Sequence, residues 1–184
     1  QKLHTQGNIV RTGNSFDIAI QGYGLFQIAH PGGSIVYSRD GSFGLDNTGQ
    51  LVTQNGYQLE PAITVPPNTL SVTVGSDGTV SAMVPGNTAP TQIGNLTLAQ
   101  FINPTGLEPI GDNLYRESAS SGAPQIEVPG QNGAGSLIQG SLESSNVNVV
   151  EELVNMIETQ RAYEMSSKAI STTDDMLAYV SQQL

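Results

Sequence analysis

From residue 149 onward one apolar residue returns at every seventh position: Val149, Met156, Tyr163, Ile170, Leu177 and Leu184. A row sustained at that period predicts a helix whose apolar stripe packs against another helix. Residues 144–184 contain neither Gly nor Pro. They open on Ser144-Ser145-Asn146, and Asn148 is followed three residues later by Glu151, the layout of a capping box with Asn in the cap position. The spacing therefore predicts one helix over 147–184. From residue 149, some 36 residues at about 1.5 Å each make a rod of roughly 54 Å, longer than the domain that the remaining residues would build, so the helix is expected to project. The alternative, a helix folded back on its own domain, is opposed by that length.

A strict seven-residue repeat drifts by about 20° per heptad on a straight helix, and keeps contact with a neighbour only through a left-handed supercoil. The second row that a coiled coil needs is weak. Leu153 is apolar, but its successors Gln160, Ser167, Asp174 and Ser181 are polar, and Ala162, Ala169 and Met176 partly take their place. No other stretch has the pattern of a second long helix, so the partner is expected to lie outside this sequence.

Before the helix the period changes to two. Residues 1–15 are polar, with Gly7-Asn8 and Gly13-Asn14 as turn signals, and read as irregular. Short alternating or β-branched runs follow at 17–21, 25–29, 35–38, 43–45, 51–53 and 57–59. Between them stand Pro31-Gly32-Gly33, Arg39-Asp40-Gly41, Asp46-Asn47-Thr48-Gly49 and Gln54-Asn55-Gly56, turns in which Gly and Asn accept positive φ and Asp bonds its own backbone. Three prolines make 61–68 a crossing outside any sheet. Residues 70–74 and 79–84 flank Gly75-Ser76-Asp77-Gly78 as a hairpin, 92–102 reads as a further run, and Leu114-Tyr115 as a short strand. Residues 118–135 are rich in Ser, Gly and Pro and are expected to be an extended linker with little packing, before a last strand at 137–143.

The expected fold is mainly β with a long C-terminal α-helix: a β-hairpin or β-barrel-like domain on a coiled-coil-forming helical stalk. Its parts are an incoming connecting segment (1–22), a β-rich outer domain (23–116), an extended return segment and strand (117–146) and the C-terminal helix (147–184). The expected subunit-interface residues are Val149, Leu153, Met156, Tyr163, Ile170, Leu177 and Leu184. Arg161 joins them if it is buried between subunits, where its fork fixes register; the other reading pairs it with Glu158 at i, i+3, as Glu164 pairs with Lys168 at i, i+4.

Composition narrows the chemistry. Sixteen acids against six bases give a net charge of -10, a balance that repels phosphate backbones and anionic lipid and speaks against nucleic acid and membrane surfaces. No stretch of eighteen consecutive apolar residues exists, so membrane insertion is not expected. With no Cys, neither a thiolate nucleophile nor a thiolate metal site is expected. His4 and His30 read as loop residues. Glu151-Glu152 and Asp174-Asp175 point about 100° apart on a helix and read as a first-turn dipole complement and a solvated face. Asp46-Asn47-Thr48-Gly49 and Asp77-Gly78 lack the ligand spacing of a calcium loop, and Gly22-Tyr23-Gly24 lacks the third Gly of a dinucleotide loop. The expectation is a protein that is not an enzyme, with no cofactor and no metal.

Two blocks of residues resemble a known family. At the C-terminal end these are Ser145-Asn146-Val147-Asn148, Glu151-Glu152-Leu153-Val154-Asn155-Met156-Ile157, Gln160-Arg161-Ala162-Tyr163-Glu164, Ser167-Lys168-Ala169-Ile170 and Asp174-Asp175-Met176-Leu177. Earlier come Asp17-Ile18-Ala19-Ile20, Gly22-Tyr23-Gly24-Leu25-Phe26, Tyr37-Ser38-Arg39-Asp40-Gly41-Ser42-Phe43, Gly49-Gln50-Leu51-Val52-Thr53 and Gly111-Asp112-Asn113-Leu114-Tyr115. Together they resemble the bacterial flagellar basal-body rod and hook proteins, and the distal rod branch more than the hook or the proximal rod. Leu25 departs from the family, which usually has a second Phe there.

The resemblance implies a structural subunit of a helical, tubular drive shaft that carries torque from motor to hook. It implies that N- and C-terminal helices pair as a coiled coil lining the channel, with β domains outside. The implied partners are further copies of the chain itself, the proximal rod proteins, the hook protein, the P- and L-ring proteins, the rod cap and the flagellar type III export apparatus. The implied place is the basal-body rod across the periplasm, reached without a cleavable signal peptide. The chain begins at Gln1 in mid-pattern, and the N-terminal helix is expected upstream. The rival reading from a different class is a secreted β-rich carbohydrate-binding module with an oligomerising helix.

Overall fold

The computed structural model describes residues 5–86 and 89–182. It divides into two compact units, Gln1–Ser145 and Asn146–Leu184. His4 and Leu184 lie outside the described residues.

The first unit is built of short strands: β1 (Ile9–Arg11), β2 (Ile18–Gln21), β3 (Phe26–Ala29), β4 (Ile35–Ser38), β5 (Phe43–Leu45), β6 (Leu51–Thr53), β7 (Gln58–Glu60), β8 (Ser71–Val74), β9 (Thr79–Met83), β10 (Thr91–Asn95), β11 (Leu98–Gln100), β12 (Glu108–Gly111), β13 (Leu114–Arg116), β14 (Gln125–Glu127), β15 (Ser136–Gln139) and β16 (Ser141–Glu143). Seven form an antiparallel sheet in the order β12-β13-β4-β3-β7-β6-β5. It stays open, with β12 and β5 as its edges, so no barrel closes. A three-stranded sheet runs β10-β9-β8, and β1–β16, β2–β15 and β11–β14 pair separately.

One main core holds these sheets together. Ile18 and Ile20 of β2, Phe26 and Ile28 of β3, Leu59 of β7, Ile63, Val80, Leu96 and Leu98 meet with almost no exposed surface. Phe26 meets Phe43 edge to face, with ring centroids 5.0 Å apart. A fully buried side chain of this size contributes about 1.5–3 kcal/mol, and such contacts must hold strands too short to be stable in isolation. Gly41 shows how tight the packing is: a Cβ there would stand 1.7 Å from the Ile18 carbonyl oxygen. Gln139 fastens β15 to β8, accepting from the Val74 amide at 3.1 Å and donating to the Val72 carbonyl at 2.9 Å.

The hairpins fall where turn chemistry predicts them, and three strands fall where it does not. β1 lies inside the segment read as irregular and is a strand because β16 pairs with it. β12 has all four residues exposed and carries Pro109, which an edge position tolerates. β14 lies inside the stretch read as a linker. It pairs with β11, and Ser121 and Pro129 on either side of it are buried, so residues 118–135 do pack. Two expected runs are each divided: 92–102 at Leu96-Thr97, where the Leu96 amide turns to the Gly78 carbonyl at 2.7 Å, and 137–143 at Gly140, with φ 72°.

The second unit is one helix, α1 (Val149–Gln182), 34 residues long. Asn148 caps it, with Oδ1 accepting from the Val150 amide at 3.1 Å. The Asn148 carbonyl accepts the first helical bond, from the Glu152 amide, at 3.1 Å. Glu151 and Glu152 stand in the first turn, where carboxylates complement the helix dipole.

Candidate assembly interface

An α-helix satisfies its own backbone, so what remains to be satisfied on α1 is its side chains. Every helix residue from 149 to 173 is exposed. Of the predicted interface residues, Val149 is 68% exposed, Met156 57%, Tyr163 77% and Ile170 64%. Leu153 and Arg161 are exposed too, Leu177 lies in the helix with its side chain outside the described set, and Leu184 lies beyond it.

The structure adds residues that the heptad row passes over. Val150, Val154, Ile157 and Met165 are also exposed apolar side chains. At about 100° per residue, Leu153 stands about 40° from Val149, Ile157 about 80°, Val150 about 100° and Val154 about 140°. With Met156 and, farther along, Tyr163 turned about 20° and 40° the other way, these apolar residues together span about 180°, with Gln160, Arg161 and Glu164 set among them. A two-stranded seam needs less than that. The expected ion pairs Glu164–Lys168 and Glu158–Arg161 do not form. Among the described residues the ion pairs are Arg39–Glu143 at 2.6 Å and Arg116–Glu108 at 2.8 Å. Thr159, Ser166 and Thr173 turn their hydroxyls back to carbonyls four residues earlier.

The residues weighed for chemistry have structural partners. His30 packs on Tyr57 with ring centroids 5.2 Å apart, and its Nδ1 accepts from the Gly32 amide. Asp46 caps its own turn: the Thr48 hydroxyl and the Gln50 amide hold its carboxyl below the usual carboxylate range. The Thr79 amide and hydroxyl do the same for Asp77. Burial pushes the Tyr37 phenol up, helped by the charge of Glu117. A polar cavity of about 200 Å³ lies between Ser38, Asp40, Thr53, Gln54 and Asp112. Among the described residues no group of three or more His, Cys, Asp and Glu side chains gathers as metal ligands would. No described helix is long and apolar enough to cross a membrane.

Set beside known proteins, residues 19–82 match the family model described as the flagellar hook protein FlgE/F/G D1 domain, and residues 138–183 match the flagellar basal body rod FlgEFG protein C-terminal. The flagellar basal-body rod protein FlgG of Buchnera aphidicola subsp. Schizaphis graminum is 53% identical over 182 residues, 99% of this chain and 70% of that protein. Two relatives from one organism, Caulobacter vibrioides, separate the branches. Its FlgG is 44% identical over 181 residues, covering 98% of this chain and 69% of the relative. Its FlgF is 37% identical over 176 residues, 94% of this chain and 66% of the relative. Both halves of the fold, the β unit and the helix, are thus matched in order within single relatives, and the chain belongs to the family of flagellar basal-body rod proteins, on its FlgG, distal rod branch.

Proposed function

We propose that this chain is a structural subunit of the flagellar distal rod, polymerising into a helical tube that carries torque from motor to hook. The observation that carries the reading is the exposed apolar arc of α1 in a chain of this family. An arc of about 180° suits a helix wedged between several neighbours better than one in a two-stranded seam. Val149, Leu153, Met156, Tyr163, Ile170, Leu177 and Leu184, with Val150, Val154 and Ile157, form its inner contact, and Arg161 fixes register there. The first neighbour is an N-terminal helix of the longer protein, and further copies supply the rest. Contacts of this kind are heterologous and do not close, so they grow a helix rather than a ring.

In this reading residues 1–22 connect inward, 23–116 form the outer domain, 117–146 return, and 147–184 enter the tube. Proximal rod proteins, hook protein, P- and L-ring proteins, the rod cap and the type III export apparatus are its partners, and the rod crosses the periplasm. The role is mechanical and needs no catalysis. Higher identity to FlgG than to FlgF in one organism favours the distal over the proximal rod, and membership of the family favours both over a secreted binding module.

The test compares amide hydrogen exchange of residues 147–182 in this chain with that in a longer chain carrying the relatives' additional residues, the latter also imaged by electron microscopy. Fast exchange in the first, with protection and tubes in the second, is the expected result. Protection already present in the first, with no tubes from the second, would sink the reading.

A further inference from the structure

The β unit has one place where two passes of the chain leave it together. In the β1–β16 pair Ile9 stands opposite Glu143, Val10 opposite Leu142 and Arg11 opposite Ser141. Residues before Ile9 and after Glu143 therefore depart from the same end. The other end is closed. The Thr12 and Gly13 amides donate to the Gly140 carbonyl at 2.8 and 3.1 Å, and the Gly140 amide donates to the Asp17 carbonyl at 2.7 Å. The buried Asp17 carboxylate accepts from the Thr12 hydroxyl at 2.6 Å and from the Asn14 side-chain amide at 3.0 Å. A pull on the two departing passes loads the Ile9/Glu143 end first.

One guanidinium serves that end. Arg39 Nε donates to Glu143 Oε2 at 2.6 Å, Nη1 to the Gly24 carbonyl at 2.7 Å, and Nη2 to the carbonyls of Gly22 and Ile20 at 2.7 and 3.2 Å. The other Glu143 oxygen accepts from the Gly7 amide at 2.7 Å. Beyond it, Ser144 donates its amide to the Asn8 carbonyl at 2.8 Å. Gly22, at φ 113°, can aim its carbonyl there because it has no Cβ, which would stand 2.8 Å from Gly135 Cα. Arg39 thus joins the β3–β4 body, the 20–24 strap and the outgoing strand, and Glu143 adds the incoming pass.

Two strands pulled from the same end separate one bond at a time, so the outermost bonds set the resistance. Bonds between ionised groups are about twice as strong as neutral ones. The Glu143 and Arg39 side chains are only 10% and 26% exposed, which limits screening by salt. Lysine cannot reproduce this fork, because its one ammonium is a point charge.

We propose that Arg39 and Glu143 form a force-resisting clasp at the open end of this neck, holding the β unit to the incoming pass before Ile9 and to the outgoing pass that leads to α1 when force acts between them. Its purpose rests on the rod reading, since a drive shaft loads that junction, but its existence is testable without it. Hydrogen exchange is measured on this chain and on Glu143→Gln and Arg39→Lys. The expected result is exchange faster by at least about tenfold at Ser144 and residues 9–11 in both variants, fading toward Thr12, with Ile28 and Leu59 unchanged. Uniform acceleration would mean that the pair stabilises the whole unit, and no acceleration that the strands suffice; either overturns the clasp.

Optical tweezers then pull the chain by its two ends. Glu143→Gln is expected to show a separate early lengthening of roughly 40 Å, the span of the opened neck, which the unsubstituted chain does not show before the β unit yields. Absence of that step overturns the mechanical role. Failure of the longer protein to polymerise would strike at the rod reading and leave the clasp standing.

Discussion

The two units treat apolar side chains in opposite ways. In the β unit, strands of three to five residues pool their side chains into one interior, so that Ile18, Ile20, Phe26 and Ile28 lose almost all contact with water. In α1, 34 consecutive residues form one element, and the described side chains from 149 to 173 all remain exposed. Frequent turns let a chain fold back and cover its own alternating residues. An uninterrupted helix cannot fold back on itself, so its own residues leave its apolar stripe uncovered. The first unit draws its stability from burial within the chain, and the second, on the rod reading proposed above, would draw it from burial on assembly.

The largest expected effect tests the self-sufficiency of the β unit. Phe26→Ala removes a ring with no exposed surface and is expected to cost about 3–5 kcal/mol in urea unfolding followed by β-sheet circular dichroism. Helical signal should respond to denaturant separately and unchanged. A single transition that carries both signals would break the contrast. Gly41→Ala should cost about 2 kcal/mol or more, because the Ile18 carbonyl occupies the place of the new methyl.

The contrast also explains what could be read in advance. The helix was legible because its period and its Asn148 cap are local, and so were the hairpins, whose turns are made by Asp46, Gly49, Asp77 and Gly78 themselves. β1, β12 and β14 were not, since their strand state comes from partners elsewhere in the chain; Gly7 and Glu143 are 136 positions apart. Of the apolar side chains left exposed on α1, the heptad row was legible, but Val150, Val154 and Ile157 fall off that period and join it only when every described helix residue from 149 to 173 is seen to be exposed. Arg39 was legible only as part of a turn and of a family block, and its ties were not, because three of its four acceptors are backbone carbonyls.

Smaller effects sharpen the helix side. Asn148→Ala removes the acceptor of the Val150 amide and is expected to cost about 1 kcal/mol of helix stability, read as lower helical ellipticity with the β unit's midpoint unchanged. On the β side, Asp46 and Asp77 carry lowered carboxyl pKa values, first through the Thr48 hydroxyl and the Thr79 amide respectively. A carboxylate with a lowered folded pKa contributes stability that is present above the unfolded value and is lost as pH falls through the folded one. The two turns should therefore weaken on acidification below the ordinary value of 3.8. An NMR titration of the Thr48 and Thr79 amides reads this directly. Asp46→Asn should remove the response at Thr48 alone, and a response left in place would mean that another acid governs the turn.

The smallest expected effect on the isolated chain is the most informative. Met156→Asp with Ile170→Asp places two charges on side chains that are already 57% and 64% exposed, so the unfolding of the β unit should shift by less than about 0.5 kcal/mol. In the assembled tube each carboxylate would have to be buried without a partner, which costs far more than any surface change. Polymerisation of the longer protein, followed by sedimentation and electron microscopy, should therefore be lost while the monomer melts as before. Were the monomer itself destabilised, the stripe would already be covered within the chain. Were tubes still to form, the contacts between subunits would lie on another surface, and the exposed row of α1 would be an ordinary solvent-facing helix.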